Sequence, residues 1–544
     1  MASTTQPAVH PAAGSPTMSH REILEALSGL LLGMFVTILA STVVSNALPR
    51  IISDLHAGES AYTWVVTATL LALTVTTPIW GKLADLTSKK LLIQLALTIY
   101  VIGSALAGLA QNAGMLIAFR AVQGVGAGGL AALVQVILAA MISPRERGRY
   151  MGYLGAVFAL GTVLGPLVGG VIVDTSWLGW RWCFYVGIPF AAVALVLLQR
   201  TLHLPVVRRR VRIDYLGATL VAAAVSLLLI WVSLAGHQFA WNSVQTYLMV
   251  GGSLALGALF IAVEQRVAEP IIPLRLFADR TITLSTVASL FVGIGLFGGT
   301  VFLSQYFQIS RGASPTASGL MSLPLVLGLL GSSTIVGQLI SRYGAWKRYL
   351  VAGGVLLVAG FGLMGSMRAD SPYGLLAPYM LVLGAGLGMM MQNLVLATQN
   401  VVATGDLGAA SSTVTFFRSL GGAVGVSALG ALLAHRVATY TADGLAAVGI
   451  VPTGAGAGAE LPNPATLPQP VRQIVQDAFG HGIGDVFLAA TPFALLALLA
   501  VLFVKEVTLQ TTSAIERDAE VPADRTAGSD QRDRGLVPLP ANGK

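Results

Sequence analysis

Apolar stretches, each long enough to cross a hydrocarbon core about 30 Å thick, alternate with short polar connections fourteen times along the chain. They occupy residues 26–48, 61–80, 91–110, 114–142, 151–173, 182–199, 214–235, 246–264, 281–305, 316–340, 348–367, 373–397, 408–434 and 484–504. Each predicts a transmembrane helix, so the fold class is an all-α polytopic membrane protein. Residues 1–23 hold Pro, His and Ser without a sustained apolar run. They read as a cytoplasmic tail and not as a cleavable signal peptide. Residues 506–544 mix Asp, Arg, Pro and Gly without periodicity, which predicts a disordered cytoplasmic tail.

Composition removes the soluble alternatives. Only 10% of the residues are charged and 55% are hydrophobic, against about one quarter charged in soluble domains. Glycine is abundant at 62 residues, which suits close helix contact in lipid. The single cysteine, Cys183, excludes an intramolecular disulfide framework and a cysteine-built metal site. A net charge of +8 would suggest nucleic acid in a soluble protein; here it reflects Lys and Arg retained on the cytoplasmic side, and no nucleic-acid partner is expected. With the N-terminus inside, seventeen basic residues fall in inner connections, and only Arg50, Arg181, Arg311, Arg368, Arg436 and Arg472 in outer ones. The positive-inside rule therefore places both ends in the cytoplasm. Arg208–Arg212 serves the same signal and offers a contact to anionic headgroups.

An internal repeat organises the spans. Gly124, Gly126 and Gly128 of span 4 recur as Gly384, Gly386 and Gly388 of span 12, an offset of 260. Leu160, Gly161, Gly165 and Gly170 of span 5 recur at the same offset as Leu420, Gly421, Gly425 and Gly430 of span 13. GKLADLTSKK at 81–90 matches GQLISRYGAWK at 337–347 at an offset of 256. The organisation predicted is a six-helix half over 24–199, a basic loop with two inserted helices over 200–280, and a second half over 281–505. An outer loop over about 435–483 carries VRQIVQDAFG at 471–480, whose apolar positions fall at helical spacing and fit a short interfacial or loop-packing helix. Two halves around a central site are a recurrent solution for secondary transport. The sequence holds no GxxxxGK[ST], HExxH, CxxC or GxSxG, so neither a nucleotide site of its own nor enzyme chemistry is expected, and no cofactor.

Five motifs resemble the major facilitator superfamily. GKLADLTSKK resembles its loop signature between helices 2 and 3, RAVQGVGAGG at 120–129 its helix 4 signature, and GTVLGPLVGG at 161–170 its helix 5 antiporter signature. STVVSNALP at 41–49 and WRWCFYVGIPFA at 180–191 resemble the fourteen-helix drug–proton antiporter branch. The resemblance covers roughly residues 24–505. It implies a plasma-membrane, proton-driven exporter of hydrophobic drugs, antibiotics or secondary metabolites. The chain departs from the branch at Ala40, where an Asp is usual, and at Ser88 and Lys89, where Gly and Arg are usual.

Candidate residues follow. Gly81, Asp85, Lys89 and Lys90 form a gate at a helix junction. Gly161, Gly165, Pro166, Gly169 and Gly170 clear side chains from one stripe of span 5, expected at the interface between halves. Arg120 and Arg418 are charges deep inside spans, Arg418 about 15 Å along its helix, and such charges usually face a cavity. With Gln123, Asn46, Gln392 and Asn393 they are the expected substrate-binding set. Trp64, Phe184, Tyr306, Phe307, Phe416 and Phe417 are candidate aromatic walls. Asp54, Asp174 and Arg120 are the candidates for proton coupling. The partners expected are a small hydrophobic substrate, protons and the bilayer, around a monomer. Export of lipid- or siderophore-like molecules, and a non-transporting receptor, are the alternatives.

Overall fold

The computed structural model describes residues 20–56, 59–175, 177–204, 214–235, 238–448 and 468–520, without the side chains of Asn46, Pro166, Asp174 and a few others. Among the described residues, fourteen helical stretches are long and apolar enough to cross a membrane. The first five spans are α1 (His20–Asp54), α2 (Glu59–Leu86), α3 (Lys89–Gly108), α4 (Ala113–Met141) and α5 (Pro144–Asp174); α6 (Trp182–Tyr185) with α7 (Ile188–Thr201) makes the sixth. The seventh and eighth are α8 (Tyr215–Leu234) and α9 (Val244–Glu264). The ninth is α10 (Arg280–Gln305), and α11 (Pro315–Met321) with α12 (Leu323–Tyr343) makes the tenth. The last four are α13 (Lys347–Met364), α14 (Tyr373–Val401), α15 (Leu407–Ala447) and α16 (Val471–Leu502). A short α17 (Ala514–Glu520) follows. The face at which α1 starts and α16 ends is termed proximal, and the opposite face distal.

Local sequence explains where the helices begin. The side chains of Ser88, Asn112, Ser143, Asp214, Ser243, Asp279 and Ser314 each accept from an amide of the first turn of α3, α4, α5, α8, α9, α10 and α11. Those amides have no intrahelical partner, and such caps are worth about 1 kcal/mol each. Pro144 and Pro315 stand at the first helical position, where the missing N–H costs nothing. Gly344 ends α12 with φ +75°.

The core divides as the repeat predicts. One apolar cluster draws its buried residues from Ala288 to Leu509, and two others from Ile23 to Leu202. Inserted α8 packs through Leu220, Val225 and Leu229 against Val75 of α2 and Phe416 of α15, and so spans both halves. The repeat appears atom for atom between neighbouring helices. A methyl group on Gly126 would lie 2.5 Å from Tyr100 N of α3, and one on Gly386 2.6 Å from Leu357 N of α13. Backbone-to-backbone approach of this kind substitutes for the hydrophobic drive that lipid does not supply.

Three elements differ from the sequence reading. The expected separate helix at 471–480 is the first part of α16, because Val475, Ala478 and Phe479 are buried in the second half's core and Ile474 packs on Gly444 of α15. With 41 and 32 residues, α15 and α16 are longer than a span requires, since about 20 residues suffice. The expected disordered tail is ordered at its start. Trp346 Nε1 donates to Val507 O (2.8 Å), Asn400 Nδ2 to Thr508 O (3.0 Å), and Gln510 N to Asn400 Oδ1 (2.9 Å). Gln510 O in turn accepts from Arg145 N of α5 (3.2 Å), and Ala514 packs with Ala139 of α4 and Ala410 of α15. Residues 505–520 thus form a strap joining both halves on the proximal face. Residues 1–19, 205–213 with Arg208–Arg212, 449–467 and 521–544 lie outside the described residues.

Replacing Gly126 or Gly386 with Leu should reduce the yield of monodisperse protein in detergent several-fold. Gly257→Leu, where nothing lies within 4 Å of the added carbon, should leave it unchanged; size-exclusion chromatography of the three variants checks this.

Candidate functional site

The proximal ends of α2, α4, α5, α12, α14 and α15 meet where the two halves touch. Two glycine pairs set the approach. A methyl group on Gly408 of α15 would strike Gly81 O of α2, and one on Gly148 of α5 would strike Gly337 O of α12. The two contacts are related by the repeat, since Gly337 follows Gly81 by 256 residues and Gly408 follows Gly148 by 260. Gly152 and Gly155 continue the α5 stripe against Thr334 and Leu330 of α12.

Asp85 makes one contact different in kind from the other. Its Oδ1 accepts from Gly408 N at 2.7 Å and its Oδ2 from Ala409 N at 2.8 Å. A buried carboxylate from the first half therefore satisfies the free amides at the start of α15 in the second. Charge-assisted hydrogen bonds are about twice as strong as neutral ones, and the partial positive charge of a helix N-terminus adds to them. The residue 256 positions on is Ser341, whose carbonyl accepts from Arg145 Nε at 3.4 Å. Lys89 lies close enough for its charge to act on Asp85. Lys90 instead donates to Gln199 O at the end of α7 (2.7 Å), so of the four motif residues Gly81 and Asp85 touch the other half.

Deeper in the same junction lies a polar network. Arg147, on the first turn of α5, is 2% exposed. It donates through Nη1 to Gln399 Oε1 of α14 and through Nη2 to Ile142 O (2.9 Å) and Ala139 O (3.3 Å). Gln399 Nε2 donates to Ser411 Oγ of α15 (2.7 Å) and to Gln135 O of α4 (3.4 Å). Gln135 Nε2 donates to Gln392 Oε1 (3.1 Å). Four helices from two halves are tied by side chains that would have to part if the proximal face opened. Arg147 is the residue that sequence reading missed, having counted it among the loop charges. The register that would have found it is Gly148, Gly152 and Gly155, which marks this turn of α5 as interfacial.

The remaining candidates separate. Arg120 Nη1 donates to Gln123 Oε1 and Gln123 Nε2 to Ser104 Oγ of α3, both at 2.6 Å. This pair is a polar stitch within the first half. Arg418 Nη1 reaches Met391 O of α14 at 3.3 Å, one residue before Gln392. Asn393 turns back to Met389 O of its own helix (2.6 Å). Asp54 pairs with Arg50 at 3.2 Å on the distal surface, where both are exposed. Such pairs contribute under about 1 kcal/mol. The side chains of Asn46, Asp174 and Pro166 lie outside the described ones. Phe184, Tyr306 and Phe307 are wholly enclosed in helix packing, and Phe416 packs on α8. The stripe of span 5 is only in part an interface between halves. A methyl group on Gly161 would lie 2.7 Å from Ile38 Cγ2 and one on Gly165 2.5 Å from Thr42 Cβ, both on α1, while Gly170 approaches Thr316 of α11 at 3.5 Å. The cause is helical phase: Gly161 and Gly165 project toward α1, where Thr42 Oγ1 also donates to Gly161 O (3.1 Å). Gly169 is buried.

Comparison with known proteins identifies the family. The sequence profile of the Major Facilitator Superfamily matches residues 30–426, and the chain belongs to that family of membrane transporters. It is 37% identical over 520 residues to an uncharacterized MFS-type transporter of Mycobacterium tuberculosis, covering 94% of this chain and 74% of that one. It is 34% identical over 420 residues to the multidrug transporter protein MdtP of Bacillus subtilis, covering 77% of each. In fold it is similar to the proton:xylose symporter XylE, with a TM-score of 0.60 at 14% identity over 92% of this chain and 99% of that one.

Asp85→Asn should loosen the proximal junction. Hydrogen bonds to charged groups are worth about 1.5–3 kcal/mol, so losing one and weakening the other should raise the open population roughly tenfold or more. In a Cys183→Ser background, a cysteine replacing Ser412, which packs on Gly81, should react with maleimide correspondingly faster once Asp85 is neutralised. Equal labelling rates would remove Asp85 from the gate.

Proposed function

We propose that this transporter, acting as a monomer in the plasma membrane, exports hydrophobic drugs, antibiotics or secondary metabolites in exchange for protons, by alternating access. The proximal face is cytoplasmic in this reading, and the arrangement described above is the outward-facing state. The observation that carries it is the proximal junction itself. Two glycine contacts, the Asp85 carboxylate on the α15 amides and the Arg147–Gln399 bond hold the halves together at one end through contacts that can part without unfolding either core. The likeness to a relative named as a multidrug transporter supports the choice of cargo. Apolar cargo suits the half-buried Met391, since methionine adapts to varied apolar shapes, and Arg418 beside Met391 O gives anionic or zwitterionic cargo a charge partner.

The test is growth of a pump-deficient host, with and without the gene, on a panel of antibiotics, followed by uptake into everted vesicles with and without an uncoupler. Uncoupler-sensitive accumulation of at least one compound is expected; its absence across a broad panel would overturn the reading. In the same assay Gly165→Leu should abolish transport by wedging α5 from Thr42 while the protein still inserts. Arg418→Ala should reduce transport at least about tenfold and Arg418→Lys should restore part of it, because a planar guanidinium is lost but the charge is kept. Full activity of Arg418→Ala would make that residue structural only.

A further inference from the structure

The inserted helix pair ends in a cluster of buried ionisable groups that the gate does not use. Asp214 precedes α8 and Glu264 closes α9, and the two are 8% and 3% exposed. Asp214 Oδ1 accepts from Gly217 N at 2.8 Å. Glu264 Oε1 accepts from Ile271 N at 3.0 Å and Ile272 N at 3.5 Å. The other oxygen of each, Asp214 Oδ2 and Glu264 Oε2, is buried without a donor among the described residues. Both carboxylates converge on one glycine: a methyl group on Gly217 would strike Asp214 Oδ2 and lie 3.1 Å from Glu264 Oε1.

Among the described residues, the surroundings supply too little positive charge for two anions. Helix α8 carries no charged residue and α9 none but Glu264. Helix α15 meets α8 with Phe416, Leu420 and Val424. From α2 comes Lys82, itself 7% exposed, whose field reaches Glu264. Its Nζ, however, is bonded at 2.6 Å to Glu269 Oε2 in the segment after α9. Asp85, also on α2, is committed to the α15 amides. Two buried carboxylates that share a space cannot both ionise without heavy cost, and an oxygen without a donor is costly by itself.

We propose that Asp214 and Glu264 form a proton-binding site holding one proton between them, set in the inserted helices and joined to the gate helix α2 through Lys82. The proton makes one carboxyl a donor and supplies an orphaned oxygen with its missing partner. Lys82 follows Gly81, which touches Gly408 and Ser412, so a change of charge at the pair acts on α2 where the halves meet. The site stands on its own geometry; its role as the seat of the exchanged proton rests on the reading given under Proposed function.

The test separates the two. Infrared titration of the full-length protein in D2O reads the carbonyl stretch of neutral carboxyl groups, and the difference between wild type and variants isolates this site. A band equal to one carboxyl is expected in wild type at neutral pH, lost both in Glu264→Gln and in Asp214→Asn. Each amide donates to the remaining carboxylate as the proton does, so both variants should fold. Gly217→Ala, which forces the carboxyls apart, should shift or split the band. Difference spectra with no such band at neutral pH would overturn the site. Efflux measured against external pH then reads the role: the dependence should flatten in Glu264→Gln and Asp214→Asn. An unchanged pH profile with the band lost would leave the site standing and overturn its part in coupling. Absence of export by the wild type would defeat the transport reading, while the infrared result still decides the site.

Discussion

Four glycines carry the closure of this transporter. Where Gly81 faces Gly408 and Gly148 faces Gly337, peptide backbones of opposite halves touch with no side chain between them. In lipid the backbone is already satisfied within each helix, so contact between halves must come from close packing and a few polar bonds. Any larger residue would hold α2 from α15 or α5 from α12 and keep Asp85 from reaching the α15 amides. The polar bonds of the junction are therefore contingent on the glycines, and the glycines recur in both halves because the halves are repeats of one another.

The symmetry of approach contrasts with an asymmetry of charge. One contact has a carboxylate on a helix start; its mate has Ser341, and the α5 start is served by its own Ser143 and Pro144. Among the described residues, Arg147 lies buried with the neutral oxygens of Gln399, Ala139 and Ile142 as its hydrogen-bond acceptors. A buried cation without an anion gains by meeting water. Asp85 thus joins the halves through a carboxylate on helix amides, whereas Arg147 joins them through a bond to the neutral Gln399.

The sequence discloses the membrane fold readily, because a bilayer imposes length and apolarity on each span and the repeat is written in glycines that cannot drift. Gly126 and Gly386, found by offset alone, occupy matching contacts with α3 and α13. Side-chain destinations are less legible. Arg120 looked like a cavity charge because depth is readable and direction is not; its partners Gln123 and Ser104 depend on how α3 and α4 turn against each other. Arg147 was hidden among loop arginines, since hydropathy ends a span before the helix begins to bury its first turn. Gly161 and Gly165 were assigned to the wrong neighbour for the same reason: a stripe announces a close contact without saying which helix makes it.

The strap after α16 carries a consequence for how the molecule is made and handled. Val507, Thr508 and Gln510 are gripped by Trp346 and Asn400, and Gln510 reaches across to Arg145. These residues leave the ribosome after α16, so all fourteen helices can be in the bilayer before the bridge between halves exists. A reporter or purification handle spliced on directly after Lys505, where hydropathy says the protein stops, would displace that bridge. Joined beyond Glu520, the same handle would leave it in place.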